Sequence, residues 1–378
     1  MPLSRGRALA VAALVGVTAT LTAAPPVTAA TTPAVTVTTV VSGLSHPWDV
    51  AFTPGGTLLY TQRGGGLGYR SPGGTVRRLS ANFSDLFASG ETGLMGLAVD
   101  PHYSDNRRIY TCQGYAGTTK DIRVLAWRIN TAFTTATRVR TLVSGIPTTS
   151  GRHGGCRLRF DRTGALQIGT GDAATGTNPQ NLRSLGGKTL RIRPTGAVPT
   201  DNPFARDADQ NKRLVFTYGH RNVQGMALRP GTDQMWNVEH GPGLDDEVNL
   251  LVKGANYGWD PVPGYDESVP MTDLAKFPNA LRARWSSGSP TVATSGASFL
   301  VGAPWGRWRG ALAVATLKGS RVLILTRDGT TITRTETLAA TDRTFGRLRA
   351  AQTGPDGSLY ITTDNGSGDR ILRITPRG

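Results

Sequence analysis

The sequence is short of several residue types, and each shortage narrows the field. Two cysteines among 378 residues, Cys112 and Cys156, exclude a disulfide-dense scaffold and a four-cysteine zinc site. No pair of the five histidines has the His-x-x-x-His spacing of a zinc helix, which disfavours a transition metal. A nucleophile elbow, a P-loop and a dinucleotide fingerprint are all missing. Beyond position 30 no segment approaches the ~20 consecutive apolar residues that a membrane helix needs. Lysine is scarce, with 6 Lys against 36 Arg, and the formal net charge is +16. The arginines are dispersed and form no runs, so the charge argues for solubility and against a nucleic-acid partner.

What is plentiful is turn-forming residues. Forty-eight glycines and 23 prolines, with 38% hydrophobic and 7% aromatic residues, fit a turn-rich all-β protein. Residues 1–30 read as an export signal. Arg5 and Arg7 form the positive region, Ala8–Ala23 the apolar stretch, and Val27-Thr28-Ala29 a small-residue cleavage site. Threonines and Pro25-Pro26 leave that stretch too short for a membrane anchor. The mature protein is therefore expected in the periplasm or outside the cell, without an integral membrane segment. In such an oxidising setting Cys112 and Cys156 are candidates for pairing, the alternative being two separately buried thiols.

A short pattern recurs along residues 31–378: an apolar-alternating strand, a Pro/Asp/Gly turn, then a second apolar strand. It appears at Val50–Thr61, Leu97–Thr111, Arg157–Thr170, Met226–Val238 and Ala350–Thr362, with a degenerate relative at Ala311–Gly329. Recurrence over a few tens of residues marks a propeller or an array. The 348 residues after position 30 allow six blades of about 58 each, with insertions such as Asp260–Pro290 taking up the excess. The expected fold is thus all-β, a single six-bladed β-propeller, in preference to a pair of β-sandwiches. The run Val35–Val41 is expected to pair with Arg370–Thr375 and close the ring.

Function must be read from a site, because propellers host many chemistries. His153 lies in a glycine-flanked loop entering a strand, where another molecule can approach and an imidazole can act as a base. His220 and His240 occupy polar, glycine-rich strand exits, whereas His46 beside Pro47 reads as structural. Asp245-Asp246-Glu247 follows the Gly241-Pro242-Gly243 turn and offers hard oxygen ligands of the kind Ca²⁺ takes. Lys318 follows a strand. Arg347 and Arg349, two apart on a strand, are expected to share a face and to suit carboxylate or phosphate.

Taken in order, these segments resemble the secreted quinoprotein sugar dehydrogenases, the soluble glucose and aldose (glucose/sorbosone) dehydrogenase family that uses pyrroloquinoline quinone (PQQ). The resemblance runs from Val41 to Pro376. It is carried by Gly43-Leu-Ser-His-Pro-Trp48, Gly93-Leu-Met-Gly-Leu-Ala98, Gly151-Arg-His153, Thr170-Gly-Asp172 and Tyr218-Gly-His-Arg-Asn-Val-Gln-Gly225. His240-Gly-Pro242, Asp245-Asp-Glu-Val-Asn249, Asn256-Tyr-Gly-Trp259, Leu317-Lys318 and Arg347-Leu-Arg349 follow. Each motif is short; their order and coverage make the case.

The resemblance implies a role for each residue. His153 takes the proton of the sugar's anomeric hydroxyl while hydride passes to the quinone, and Asp172 orients it. Arg221 polarises the reducible quinone carbonyl, with Asn222 and Gln224 as cofactor neighbours. The carbonyls of Gly241 and Pro242 hold the Ca²⁺ that also ligates the quinone. Lys318, Arg347 and Arg349 meet the cofactor's three carboxylates. Glu247, the carbonyl of Tyr257 and Asp266 resemble a second, structural Ca²⁺ site. Three departures stand out. Glu91 occupies the position of a cofactor-contacting amide, and Arg152 precedes the base where an acid can occur. Cys156 interrupts a glycine-glycine-arginine run, which reads as half of a disulfide with Cys112 between adjacent blades. The implied activity is oxidation of an aldose to its lactone, with electrons leaving to an external acceptor. Two other classes remain at this stage, a non-catalytic carbohydrate-binding propeller and a Ca²⁺-dependent propeller lactonase or hydrolase. A binding module needs no such constellation, and a hydrolase has no use for three convergent cations unless its substrate is an anion.

Overall fold

The computed structural model describes residues 31–377, together with residues 1–3, 6, 8–10 and 12. Arg5, Arg7 and the cleavage site Val27-Thr28-Ala29 of the expected export signal lie outside the described residues. Among the described residues no helix is long and apolar enough to cross a membrane.

Apolar alternation around tight turns produces antiparallel hairpins at the expected places. Val50 pairs with Tyr60, Leu97 with Thr111, Leu158 with Ile168, Met226 with Asn237 and Ala351 with Ile361. The turn after Phe160 shows the local cause. The Asp161 carboxylate accepts the backbone N–H groups of Thr163 (2.9 Å) and Ala165 (3.1 Å). Gly164 supplies the φ of +77° that the turn requires.

Six four-stranded antiparallel sheets result. In chain order the blades span residues 47–79, 94–146, 155–218, 223–286 and 294–337. The sixth combines residues 348–377 with residues 34–44. The first strand of each blade, Pro47–Phe52, Leu94–Val99, Gly155–Phe160, Val223–Leu228, Thr294–Phe299 and Leu348–Thr353, packs against its counterparts in both neighbouring blades, closing a ring. Ala34–Leu44 is the outermost strand of the sixth blade, antiparallel to Asp369–Arg377, so one sheet joins the two ends of the described fold.

The hairpin expected at Ala311–Gly329 is present, one strand further along its blade than the other five. Its strands, Leu312–Thr316 and Arg321–Asp328, are the second and third of the fifth blade, not the first and second. The connection from the first strand runs instead through a 3-10 segment, Ala303–Trp308, that buries Trp305 and Trp308. No tight turn is there to be read.

Apolar faces of adjacent blades form the core, as where Tyr110 and Val124 of the second blade meet Leu158 and Ile168 of the third. A disulfide between Cys112 and Cys156, with Cα atoms 5.5 Å apart, ties these two blades. The axis is polar. Arg157 and Asp49, both fully buried, are ion-paired at 2.5 Å, and Arg157 lies 4.1 Å from the centre of the Trp48 ring. Its Nε donates to the Gln224 carbonyl at 2.8 Å. Burial pulls Arg157 down to about 10, against the field of Asp49.

Candidate active site

In an antiparallel blade, the residue entering the first strand and the residue leaving the second stand at the same end. All six first strands line the axis, so these positions converge on one mouth of the central shaft. His153 enters Gly155–Phe160 and Asp172 leaves Leu166–Thr170. Arg221 and Asn222 enter Val223–Leu228, and His240 and Gly241 leave Met235–Glu239. Lys318 leaves Leu312–Thr316, while Arg347 enters Leu348–Thr353.

His153 is buried, with 3% of its surface exposed, in a left-handed conformation at φ +52°. Its Nδ1 lies 2.8 Å from Asp172 Oδ1 and 2.9 Å from the Tyr265 hydroxyl. Asp172, fully buried, also accepts from the Tyr265 hydroxyl (2.7 Å), the Trp259 indole N–H (2.8 Å) and the Ala174 amide (2.8 Å). Burial and the Asp172 charge push the Tyr265 hydroxyl up, keeping it a donor. The imidazole is thereby oriented with its Nδ1–H towards the carboxylate, and the Nε2 lone pair is left for another molecule.

Arg221 is held from three sides. Its backbone N–H donates to Glu239 (2.8 Å), its guanidinium donates to the His240 carbonyl (3.1 Å), and it pairs with the Glu267 carboxylate. Glu267 also receives Arg152 through both oxygens, at 2.7 Å each. Two buried nitrogens at this mouth, Arg221 Nε and His240 Nε2, have no hydrogen-bond partner. Burial pulls His240 below the ordinary histidine range, although Asp246 and Glu91 oppose it.

Glu91 accepts hydrogen bonds from the side-chain amides of Asn222 (2.9 Å) and Gln224 (3.3 Å). Burial alone would raise its pKa, but the fields of His240 and His153 and the Asn222 amide outweigh it and hold Glu91 below the usual range. The carboxylate is thus paired, and two expected cofactor neighbours are turned towards it.

The three cations expected to converge on the cofactor stand in different settings. Arg349 is 3% exposed and donates to Asp364 (2.7 Å) and Gln224 (3.1 Å). Arg347 precedes the strand and is exposed, as is Lys318. The register shift between Leu348 and Ala351 breaks the simple alternation that would have put Arg347 and Arg349 in the same setting.

The Gly241–Asp245 turn is closed so tightly that a Cβ on Gly241 would lie 2.0 Å from the Leu244 carbonyl oxygen and 2.6 Å from that of Asp245. Gly241 N–H donates to Asp246 at 3.0 Å. Glu247 is buried beside Thr272 (3.2 Å), and the Tyr257 hydroxyl bonds the Leu250 carbonyl (2.6 Å). Asp266 is set apart from them. It is exposed and its carboxylate is committed to the Ser268 amide (2.9 Å) and hydroxyl (2.7 Å).

Sequence reasoning missed Tyr265, Glu267 and Arg63. The first two lie in the irregular segment between Glu247–Leu250 and Trp285–Ser286, where no periodicity marks them. Arg63 follows the strand Leu58–Gln62 and lies within the fields of Asp364, Arg349, Glu91 and Arg347 at this mouth, and a strand-exit rule applied to every blade would have found it. The opposite mouth of the shaft opens into a 590 Å³ cavity lined by Phe52, Phe160, Phe299 and several prolines. None of the residues of the active mouth lines it.

The family described as Glucose / Sorbosone dehydrogenase matches residues 44–373. The aldose sugar dehydrogenase YliI of Escherichia coli K12 is 33% identical over 349 residues, covering 88% of this chain and 91% of that protein. The structure of the soluble aldose sugar dehydrogenase from Escherichia coli is similar at a TM-score of 0.81 and 31% identity, over 91% of this chain and all of the other. The PQQ-bound aldose sugar dehydrogenase of Streptomyces coelicolor is similar at a TM-score of 0.76 and 28% identity, over 91% and 100% of the two chains.

Proposed function

The chain belongs to the glucose/sorbosone dehydrogenase family, and on that premise we propose that it oxidises the anomeric C1 hydroxyl of an aldose to the lactone, with PQQ and Ca²⁺ as cofactors. The observation that carries the reading is the buried His153, whose Nδ1 is committed to Asp172 and Tyr265 while Nε2 remains available.

The residues at this mouth fit the cofactors. Arg221 Nε and His240 Nε2 are buried donors or acceptors without partners, and exposed Lys318 and Arg347 suit an anionic ligand. The carbonyl-rich turn at Gly241 and Pro242, backed by Asp246, offers hard oxygen donors. When bound, PQQ supplies a two-electron acceptor whose carbonyl the Ca²⁺ ion polarises.

The protein's own groups do the rest. His153 Nε2 accepts the C1 hydroxyl proton, and Asp172 balances the imidazolium that forms. The hydride leaves C1 in the same oxidation, which yields the lactone. Arg221 stabilises negative charge developing beside it, and is steered by Glu239 and the His240 carbonyl. Tyr265 bonds the base directly and Trp259 bonds Asp172, so the imidazole and its carboxylate partner are both held against rotation. The Cys112–Cys156 bond fits an oxidising compartment, where an external acceptor would collect the electrons.

Reconstitution with PQQ and Ca²⁺, followed by dye reduction across a panel of aldoses, tests the reading. Turnover with at least one aldose is expected. Absence of turnover with every sugar, together with absence of PQQ binding, overturns it.

A further inference from the structure

Behind the His153–Asp172 pair lies a charge that the reaction does not use. Lys188 begins the strand Lys188–Ile192 and is completely buried. Its Nζ lies 2.6 Å from the Asn178 carbonyl oxygen, 2.9 Å from that of Pro179 and 2.7 Å from that of Gly186. Three acceptors around one nitrogen call for three N–H donors, which only the ammonium has. No carboxylate forms an ion pair with it among the described residues. Burial pulls Lys188 down to about 7, and the only charge acting against burial is Asp172.

The three carbonyls belong to one loop, residues 171–187, which links the second and third strands of the third blade and carries Asp172 near its start. The loop is tied across its base by Gly187 N–H to the Gly171 carbonyl (2.9 Å). It is also tied from within by the Asn178 side-chain amide to the Asp172 carbonyl (2.9 Å). The ammonium sits inside this loop and holds its far half against its root. A buried cation without a counter-ion in contact is costly, and what offsets that cost here is the full set of three carbonyl acceptors, which an apolar side chain would leave unpaired.

We propose that Lys188 is a positioning residue for the Asp172–His153 pair, gathering the 171–187 loop around its ammonium so that the carboxylate stays in register with the imidazole. The inference rests on the reading of His153 as the base. His153 is faced by Asp172 from this loop, by Tyr265 from the fourth-blade insertion and by Glu91 from the entry to the second blade, with Arg152 next to it in the chain. Of these, Asp172 is the one carried by the loop that Lys188 gathers.

The protein has only five histidines, so the downfield proton on His153 Nδ1 can be assigned by its loss in His153→Ala. Two variants remove the ammonium: Lys188→Met takes away every donor, and Lys188→Gln keeps two N–H donors on a shorter, uncharged side chain that cannot fill all three carbonyls. Each is expected to lower kcat ~10-fold or more, with KM for the sugar and Kd for PQQ little changed. In each, the His153 Nδ1 proton is expected to vanish or to exchange rapidly with water. Wild-type kcat with an intact resonance in both variants overturns the proposal. So does failure of both variants to fold, which would make Lys188 a support of the whole domain. A wild-type protein that turns over no aldose, yet loses the resonance in both variants, supports the positioning role and overturns only the reading of the base.

Discussion

Glu239 and Glu247 stand directly opposite one another on adjacent strands of the fourth blade, both buried. Glu239 is well partnered, by His220 (2.7 Å), Asn249 (2.9 Å) and the Arg221 amide (2.8 Å). Glu247 has the longer contacts to Thr272 (3.2 Å) and Asn249 (3.4 Å), and burial, then the facing Glu239, push its pKa well above the ordinary range. The side-chain oxygens of Asn237 and Asn249 are buried nearby without partners. This is an oxygen-rich pocket short of positive charge, which suits a hard cation. A raised pKa favours the folded state fully below the ordinary glutamate value of about 4.3, and that benefit is lost as pH rises through the folded value. Above that point Ca²⁺ is expected to raise the melting temperature by a few degrees relative to chelator, and Glu247→Gln to abolish the increment. Calorimetry with and without EDTA checks it; an unchanged increment in the variant removes Glu247 from the ion site.

His153→Ala should leave the Kd for PQQ near wild type and lower kcat by about 10²–10⁴. The imidazole is held by Asp172 and Tyr265 and makes no contact with Arg347 or Lys318, so cofactor capture does not depend on it. Fluorescence titration with PQQ and steady-state dye reduction separate the two effects. Turnover near the wild-type rate would place the base elsewhere.

Arg347 and Arg349 should fail in opposite ways. Arg349→Ala strips a buried carboxylate, Asp364, of its 2.7 Å guanidinium partner and leaves it His46 alone, and is expected to cost about 3 kcal/mol of stability. Arg347 is exposed and has no ion-pair partner among the described residues, so its replacement by alanine should leave the melting temperature unchanged while raising the Kd for PQQ. Thermal denaturation and cofactor titration on the same two variants decide the matter. Equal loss of stability would show that both arginines are structural.

Which parts of this molecule the sequence reveals follows from how local their causes are. Five blade hairpins were legible because alternation and turn chemistry lie within about a dozen residues, as at Asp161 and Gly164. The fifth blade showed itself only through the hairpin one strand further along, because its first connection is a 3-10 segment anchored by Trp305 and Trp308, a tertiary arrangement with no turn signature. His153, Asp172 and Arg221 could be picked out because glycines and strand ends flag them. Tyr265 and Glu267 could not, since they reach the site only through the path of an irregular insertion. The unequal settings of Arg347 and Arg349 depend on a bulge, and strand periodicity alone cannot show one.

The Cys112–Cys156 bond joins the second blade to the first strand of the third, close to the entry that carries His153. Replacing both cysteines with serine is expected to cost about 2–4 kcal/mol, most of it through the freed unfolded chain. Denaturant unfolding in the absence of reductant measures the loss. A smaller change would mean that blade packing alone sets the register of this pair.

Glu91 is the group whose replacement should trade stability for cofactor affinity. Burial opposes its charge, but His240, His153 and the Asn222 amide prevail and its pKa lies below the ordinary range. A depressed pKa contributes stability that is present above the ordinary glutamate value and is lost as pH falls through the folded value. Glu91→Gln should therefore be less stable than wild type at neutral pH, with the difference narrowing in acid. The same carboxylate stands where an anionic cofactor is expected, and it draws the amides of Asn222 and Gln224 to itself. Removing one negative charge there should tighten PQQ binding by about tenfold at low salt, less at high salt. Paired titrations of the two proteins at two ionic strengths check this. Weaker binding in the variant would mean that Glu91 organises the amides for the cofactor, and that pairing outweighs repulsion.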